Sequence, residues 1–362
     1  MPPERLQERL ESLVGGGVGL QLAVARSGRP SPESVVIPMG PQYAPISQDT
    51  PFNLWCAVKP LVACAALAVL ERAGISLGAP MSEYVPAFED AGDEAPSMAQ
   101  LLRHESRLPA ADTIEMQMLL PDDRRARVEE LVRRKNLRPT AVPAYSQFVA
   151  WSAILWALEA LCGTSGDQAV QAELDAAGHS GVRLHVDDVG HARLEPVLGL
   201  YYEPPDGVPG QPLPLVHDHA RSVVVDTTCA LRGYATALAM TAWYSDLLDT
   251  LSLEGCPNRP GFPSHEFLAR ALASTRTSHA ADDTLRRRCD FAAGFMVDLS
   301  THQMSSNFSP SAIGHSGWKG LSVGFADPER GLVGCFVVPL LHDAVQISVL
   351  RSAVLDAVFC AA

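Results

Sequence analysis

The sequence predicts an α/β part assembled from both ends of the chain, with an all-helical part between them. Two observations carry that prediction. Alternating apolar stretches that read as strands occur near the N-terminus and again after Asp290, and the middle is dominated by helical patterns and loops. The α/β part is placed at residues 1–75 and 285–362 and the helical part at 76–284, within one domain spanning 1–362. A cleft is expected where the two parts join.

The elements follow in order. Glu4 to Val14 reads as a short amphipathic helix with Leu6, Leu10 and Leu13 on one face. "GVGLQLAVARSG" alternates like a strand and ends in a glycine turn, and "ESVVIPMG" pairs with it as a hairpin. From Ala57 to Leu70 there is no polar face after Lys59, so that helix is buried on most sides. Pro60 is tolerated in its first turn and Gly74 stops it, which puts Cys56 at or just before its N-terminus. "SMAQLLRHESRLP" is a short helix running into a loop, and "YSQFVAWSAILWALEALCG" is a loop followed by an apolar helix stopped at Gly163. Residues 178–221 are rich in Pro, Gly and His, with short strands expected around Val182 to Val186 and Leu198 to Tyr202. "LRGYATALAMTAWYSDLLDTL" is another helix. "FAAGFMVDL", "LSVGFADP" and "GLVGCFVVPL" read as strands, and "AVQISVLRSAVLDAVF" closes the chain as a helix.

Composition narrows the function. With 47% hydrophobic and 19% charged residues, the 362-residue chain has the makeup of a globular protein with a substantial core. A formal charge of −13 argues against a nucleic-acid surface, which needs a basic stripe. The basic run near Arg124 alternates with acids, as a solvated helix face does. The N-terminus lacks the layout of a secretory signal and no apolar run reaches spanning length, so a cytoplasmic location without membrane contact is expected. Eight irregularly spaced cysteines then read as free thiols, with Cys64, Cys162 and Cys335 in the core. No spacing suits zinc, and "HDH" at His217 to His219 is too little for a metal site, so neither metal nor cofactor is expected.

Cys56 and Lys59 form a C-x-x-K pattern at a helix start. Alone it is weak, because two fixed positions in four arise often by chance. Lys59 at i+3 shares the helix face of Cys56, and its charge together with the helix terminus favours a thiolate. Three further pieces follow in the chain: "LLRHESRLP", "PAYSQ" and "GHSGWKGLSVGFADPERGLVG".

In that order the pieces resemble the serine β-lactamase and penicillin-binding-protein superfamily, especially its class C β-lactamase and esterase branch. "FNLWCAVKPLVACAALAVLERAGISLGAPMSEYVPAF" agrees over nearly its full length. The resemblance implies a β-lactamase-like fold, an antiparallel sheet flanked by helices with a helical subdomain. It also departs from the family pattern. Cys56 replaces the nucleophilic serine of S-x-x-K, and Gln147 replaces the asparagine of Y-S-N. His315 replaces the lysine of K-T-G, and Arg107 replaces the glycine of H-x-S-G-L.

The resemblance makes Tyr145 a proton shuttle held by Lys59 and His315. It forms the oxyanion hole from the amides of Cys56 and of Trp318, the latter on the edge strand after His315, Ser316 and Gly317. Ser316, Gly317 and Gln147 face the substrate, with Gln147 bonded to the acyl group or to Lys59. His104 falls in a structural motif of the family, and Trp55, Trp151 and Trp156 read as core or as acyl-pocket walls.

Three functions remain open at this point. One is an acyltransferase working through a Cys56 thioester, with a small-molecule acyl donor, an amine or alcohol acceptor, and an acyl carrier protein as one means of delivery. The others are an esterase or amidase of the same family and a catalytically inactive binding protein. Thioesters are attacked readily by amines and slowly by water, so cysteine favours transfer, and natural-product biosynthesis is the expected setting.

Overall fold

The computed structural model describes residues 3–14, 18–27, 31–40, 45–106, 108, 126–127, 130, 143–147, 149–184, 201–202, 233–252, 259–276, 280–341 and 344–361. Arg107, the basic run near Arg124, His217, His219 and most of 178–221 lie outside them, so the readings there have no structural counterpart.

The first elements are α1 (Pro3–Val14), β1 (Val18–Arg26), β2 (Glu33–Met39), the two-residue β3 (Phe52–Asn53), a 3₁₀ turn (Trp55–Val58) and α2 (Lys59–Arg72). The middle supplies α3 (Met98–Leu102), α4 (Val149–Cys162), α5 (Gly166–Ala176), β4 (Tyr201–Tyr202), β5 (Tyr234–Ala235), α6 (Ala237–Ser252) and α7 (His265–Ala273). The end supplies β6 (Asp290–Ala292), β7 (Phe295–Val297), β8 (Ile313–Ser316), β9 (Ser322–Asp327), β10 (Leu332–Val337), β11 (Leu340–Leu341) and α8 (Ala344–Ala361).

Seven strands form one antiparallel sheet in the order β2-β1-β10-β9-β8-β7-β6, so the two chain ends meet where β1 pairs with β10. Strand periodicity sorts the side chains. Leu20, Leu22 and Val24 of β1 and Phe336 of β10 join the core layer containing Leu6, Leu10 and Val14 of α1 and Val354 of α8. Ala23, Cys335 and Val337 face the opposite layer, which holds Trp243 and Tyr244 of α6. Strand β10 is thus covered on both faces, which is why its sequence reads as an unbroken apolar run. On α1 the buried stripe is Leu6, Leu10 and Val14, while Leu13, expected on it, is 38% exposed.

Helix α6, from the middle of the chain, packs against strands from both ends. This helix lies on the sheet: Thr241 Oγ1 donates to the Ala23 carbonyl of β1 at 3.0 Å, and the Tyr244 ring covers Gly324 of β9. Helix α2 instead joins the two parts. Every residue from Lys59 to Leu70 is buried, which accounts for its missing polar face. It ends in a Schellman motif, with Gly74 at φ +67° and the amides of Gly74 and Ile75 returned to the carbonyls of Glu71 and Leu70.

Two further expectations are corrected. "FAAGFMVDL" is a hairpin, not one strand: Ala293 and Gly294 both take positive φ, and Ala292 pairs with Phe295. Strand β8 is fifth of seven rather than an edge. Strand β7 covers only Ile313 and Gly314, so the His315–Ser316 end is still unpaired on that side.

Gly317, just beyond β8, docks the sheet against the turn before α2. A Cβ there would lie 2.6 Å from the Leu54 carbonyl oxygen and 2.1 Å from Ser322 Oγ, which itself donates to that oxygen at 2.6 Å. Gly317→Ala must push the two apart. It is expected to cost about 1–3 kcal/mol in chemical denaturation, the usual range for overpacking. An unchanged midpoint would show that the contact is looser than it stands here.

Candidate active site

The 3₁₀ turn that carries Cys56 is tightly held. Trp55 adopts φ +51°, an unusual conformation for a side chain of this size. The Trp55 amide donates to Asn53 Oδ1 at 3.0 Å, and the Leu54 amide donates to the Gly233 carbonyl at 2.8 Å. Strain at the residue before a reactive side chain persists only when its surroundings over-determine it. Here they do.

Cys56 is half-buried, and Lys59, one turn later, is fully buried. Lys59 Nζ donates to Cys56 Sγ at 3.3 Å and to the Gln147 carbonyl at 2.6 Å. It also stands 5.3 Å from the ring centroids of both Tyr145 and Trp151. A lone pair, a carbonyl dipole and two π faces all favour the ammonium form.

The segment from Pro143 to Gln147 is pinned at successive residues. The Ala144 amide donates to the His104 carbonyl, the Tyr145 amide to Asp282 Oδ1 and the Ser146 amide to His104 Nδ1, each at 3.1 Å. Ser146 Oγ accepts the Ala150 amide at 3.0 Å, capping the start of α4. The Tyr145 ring lies 4.7 Å from that of His104, 5.6 Å from Phe291 and 6.0 Å from His315. Lys59, Tyr145 and His315 therefore gather about Cys56. Gln147 meets Lys59 through its main-chain carbonyl, and the residue itself is exposed.

His315 is a neutral imidazole of one defined tautomer. Its Nδ1 lies 2.8 Å from the Ser316 carbonyl, which only accepts, so Nδ1 carries the proton. Its Nε2 is buried, with no partner among the described residues. Burial first, and then the Lys59 charge, hold its pKa well below the ordinary histidine value. This group offers a lone pair where the family's lysine would offer a cation.

Trp318 does not sit on the strand. It opens a 3₁₀ turn after the extended Gly317, and its ring stands 5.5 Å from that of Trp55. Gly317, just before Trp318, packs on Leu54 and Trp55, just before Cys56. Neither the Cys56 nor the Trp318 amide has a protein acceptor among the described residues. Ser316 is half-buried, and its hydroxyl lies 3.9 Å from Met296 Sδ.

The remaining candidates divide. Trp151 and Trp156 are core residues, though Trp151 also flanks Lys59. Cys64 and Cys335 are buried, and burial pushes both thiols far up. Cys162 is not core: it is exposed at the end of α4. Sequence reasoning missed Arg276 and Asp282, whose charges look like surface residues in an otherwise unremarkable loop.

The fold and this arrangement bring a cysteine, a lysine and a tyrosine together at the start of α2. A family model described as Beta-lactamase matches residues 6–357, and the chain belongs to that family, one of acyl-transferring serine hydrolases. No curated protein matches it in sequence. Among solved structures, a penicillin-binding protein homolog from Caulobacter crescentus superposes with TM-score 0.72 at 20% identity, covering 98% of this chain and 97% of the other. EstA from Arthrobacter nitroguajacolicus Rue61a gives 0.69 at 18%, covering 100% and 98%. EstCE1, a hydrolase with promiscuous acyltransferase activity, gives 0.66 at 16%, covering 97% and 99%. These likenesses show the β-lactamase-like fold. Among the described residues, no helix is long and apolar enough to cross a membrane.

The geometry makes Cys56 the fastest thiol toward limiting iodoacetamide, ahead of Cys162 and Cys360, although both of those are exposed. Peptide mapping reads the order, and Lys59→Met should slow Cys56 severalfold while leaving the other two unchanged.

Acid is expected to unfold the protein through its buried imidazoles. Burial lowers the pKa of His104 and His315 well below the usual value and that of His302 to about 4. The unfolded chain binds protons below about pH 6.5 that the native site refuses, so this stability is complete above that pH and is lost as pH falls toward 4. His302 alone accounts for on the order of 3 kcal/mol across that window. Urea midpoints measured between pH 7.5 and 4.5 should fall steadily; a flat profile would contradict neutral burial.

Proposed function

We propose that the protein is an acyltransferase of the class C β-lactamase and esterase branch, working through a thioester on Cys56. The observation that carries this reading is the contact between Cys56 Sγ and the buried Lys59 ammonium at 3.3 Å. The thiolate attacks the carbonyl of an activated ester or thioester. The oxyanion that forms is received by the amides of Cys56 and Trp318, which have no other acceptor among the described residues. The carbonyl re-forms as the donor's leaving group departs with the Tyr145 proton, leaving a phenolate to take the proton of the acceptor. An amine or alcohol then attacks the thioester, Tyr145 takes its proton, and the Cys56 thiolate leaves.

Neutral His315 leaves an Nε2 lone pair with no partner among the described residues, rather than a cation, on the ring 6.0 Å from the tyrosine, which suits a phenol that must hold its proton before donating it. Ser316, Gly317 and the exposed Gln147 side chain border the substrate. The choice of transfer over hydrolysis rests on sulfur. A thioester reacts readily with amines and only slowly with water. A thiolate is also a better leaving group than an unactivated amine, so attack on a plain amide collapses backwards. A small-molecule or carrier-bound acyl donor in the cytoplasm, within natural-product assembly, fits a free thiol of this kind. EstCE1, which shares the fold, is described as a hydrolase with promiscuous acyltransferase activity.

The test is the ratio of transfer product to free acid at matched donor and amine concentrations. Wild type should give mainly transfer product, and Cys56→Ser should move the partition toward acid. Cys56→Ala should form no acyl adduct by intact mass. Tyr145→Phe should impair transfer by about tenfold or more with little loss of stability, because the ring packing remains. Free acid as the main wild-type product under saturating amine would make the protein a hydrolase. No adduct with any activated donor would make it a binding protein.

A further inference from the structure

The main chain of Tyr145 is held by a charge pair from a distant part of the chain. Asp282 and Arg276 are both fully buried, with Arg276 NH2 2.8 Å from Asp282 Oδ2. The other carboxylate oxygen accepts the amides of Tyr145 at 3.1 Å, Thr284 at 2.9 Å and Leu285 at 2.8 Å. Arg276 in turn donates to the Arg103 carbonyl at 2.8 Å and to the Cys289 carbonyl at 3.1 Å. Its guanidinium lies 4.5 Å over the Phe291 ring, against which Tyr145 packs.

Three loops thus converge on one pair: the loop ending in His104, the Tyr145 segment, and the turn from Asp282 to Cys289. The Asp283 amide adds a further tie, to the Pro143 carbonyl at 2.9 Å. A buried ion pair is a weak source of net stability, since desolvation offsets most of its Coulomb gain. Its directional bonds, in contrast, fix geometry. Three amides on a single oxygen leave the Tyr145 Cα little freedom, and proton transfer depends steeply on where the phenol stands.

We infer that the buried Asp282–Arg276 pair is a positioning device for Tyr145, holding its phenol in line with the leaving group of the acyl donor. Neither residue touches the reacting atoms. The inference rests on the reading of Tyr145 as the proton shuttle.

Leaving-group dependence tests it. Departure of p-nitrophenolate needs no proton, whereas departure of ethoxide does, so a displaced tyrosine slows the second far more than the first. The probes are p-nitrophenyl butyrate and ethyl butyrate, read as kcat/KM, with iodoacetamide labelling of Cys56 as a separate measure of the nucleophile. Asp282→Asn keeps an oxygen acceptor but loses the charge that orients it. It is expected to lose about tenfold or more on the ethyl ester, about threefold or less on the nitrophenyl ester, and about twofold or less in labelling rate. Because Asp282→Asn leaves a buried guanidinium unpaired and can unfold the protein, the double variant Arg276→Met/Asp282→Asn, which buries no charge, is measured beside it and should show the same signature.

Equal losses on both esters with slowed labelling would overturn the inference in favour of a general structural role. So would wild-type rates on both esters. Tyr145→Phe serves as the reference. If it lacks the leaving-group signature, the shuttle reading falls and this inference with it. If it shows the signature and the Asp282 variants do not, only the positioning inference falls.

Discussion

The structure is organised around the burial of one positive charge. Lys59 is fully buried at the start of a helix that is otherwise apolar on every side. An ammonium in such a place is tolerated only with close acceptors, because the cost of desolvating it unpaired is several kcal/mol. Its acceptors come from two directions: Cys56 Sγ from the same helix start, and the Gln147 carbonyl from 88 residues away. The helical part must therefore close against the sheet for the charge to be satisfied. Packing and site chemistry become one requirement.

That requirement explains why so much of the surrounding loop is pinned. The Gln147 carbonyl can serve Lys59 only if the segment from Pro143 onward is held, and His104 and Asp282 hold it through three consecutive amides. His104 does this as an acceptor at Nδ1, a role open to it only when that nitrogen is unprotonated, and burial keeps the ring neutral. The rings of His104, His302 and His315 all stand within 6.2 Å of Phe291, so the tyrosine works inside a dry aromatic box.

Much of this was legible in the chain. The helix ending at Gly74 and the hairpin of β1 and β2 follow from local signals that need no partner. The order of Cys56-x-x-Lys59, Tyr145 and His315-Ser316-Gly317 pointed to the family that the comparisons then showed. What failed did so for lack of tertiary information. Leu13 and Cys162 look like core by type, but Leu13 lies off the buried stripe of Leu6, Leu10 and Val14, and Cys162 is exposed at the end of its helix. Ala293 reads as strand because no local signal demands its positive φ.

The sequence by itself determined α2, the β1–β2 hairpin and which chemistry-bearing residues the chain owns, because periodicity, caps and motif spacing act over a few residues. Only the tertiary structure decided which groups meet. It set α6 on the sheet, brought the Gln147 carbonyl to Lys59, and fixed the His315 tautomer through the Ser316 carbonyl. It also buried Arg276 against Asp282 behind the tyrosine. The α6, Gln147 and Arg276 contacts join distant segments, and the His315 tautomer, set by the neighbouring Ser316 carbonyl, depends on the water excluded when those segments close.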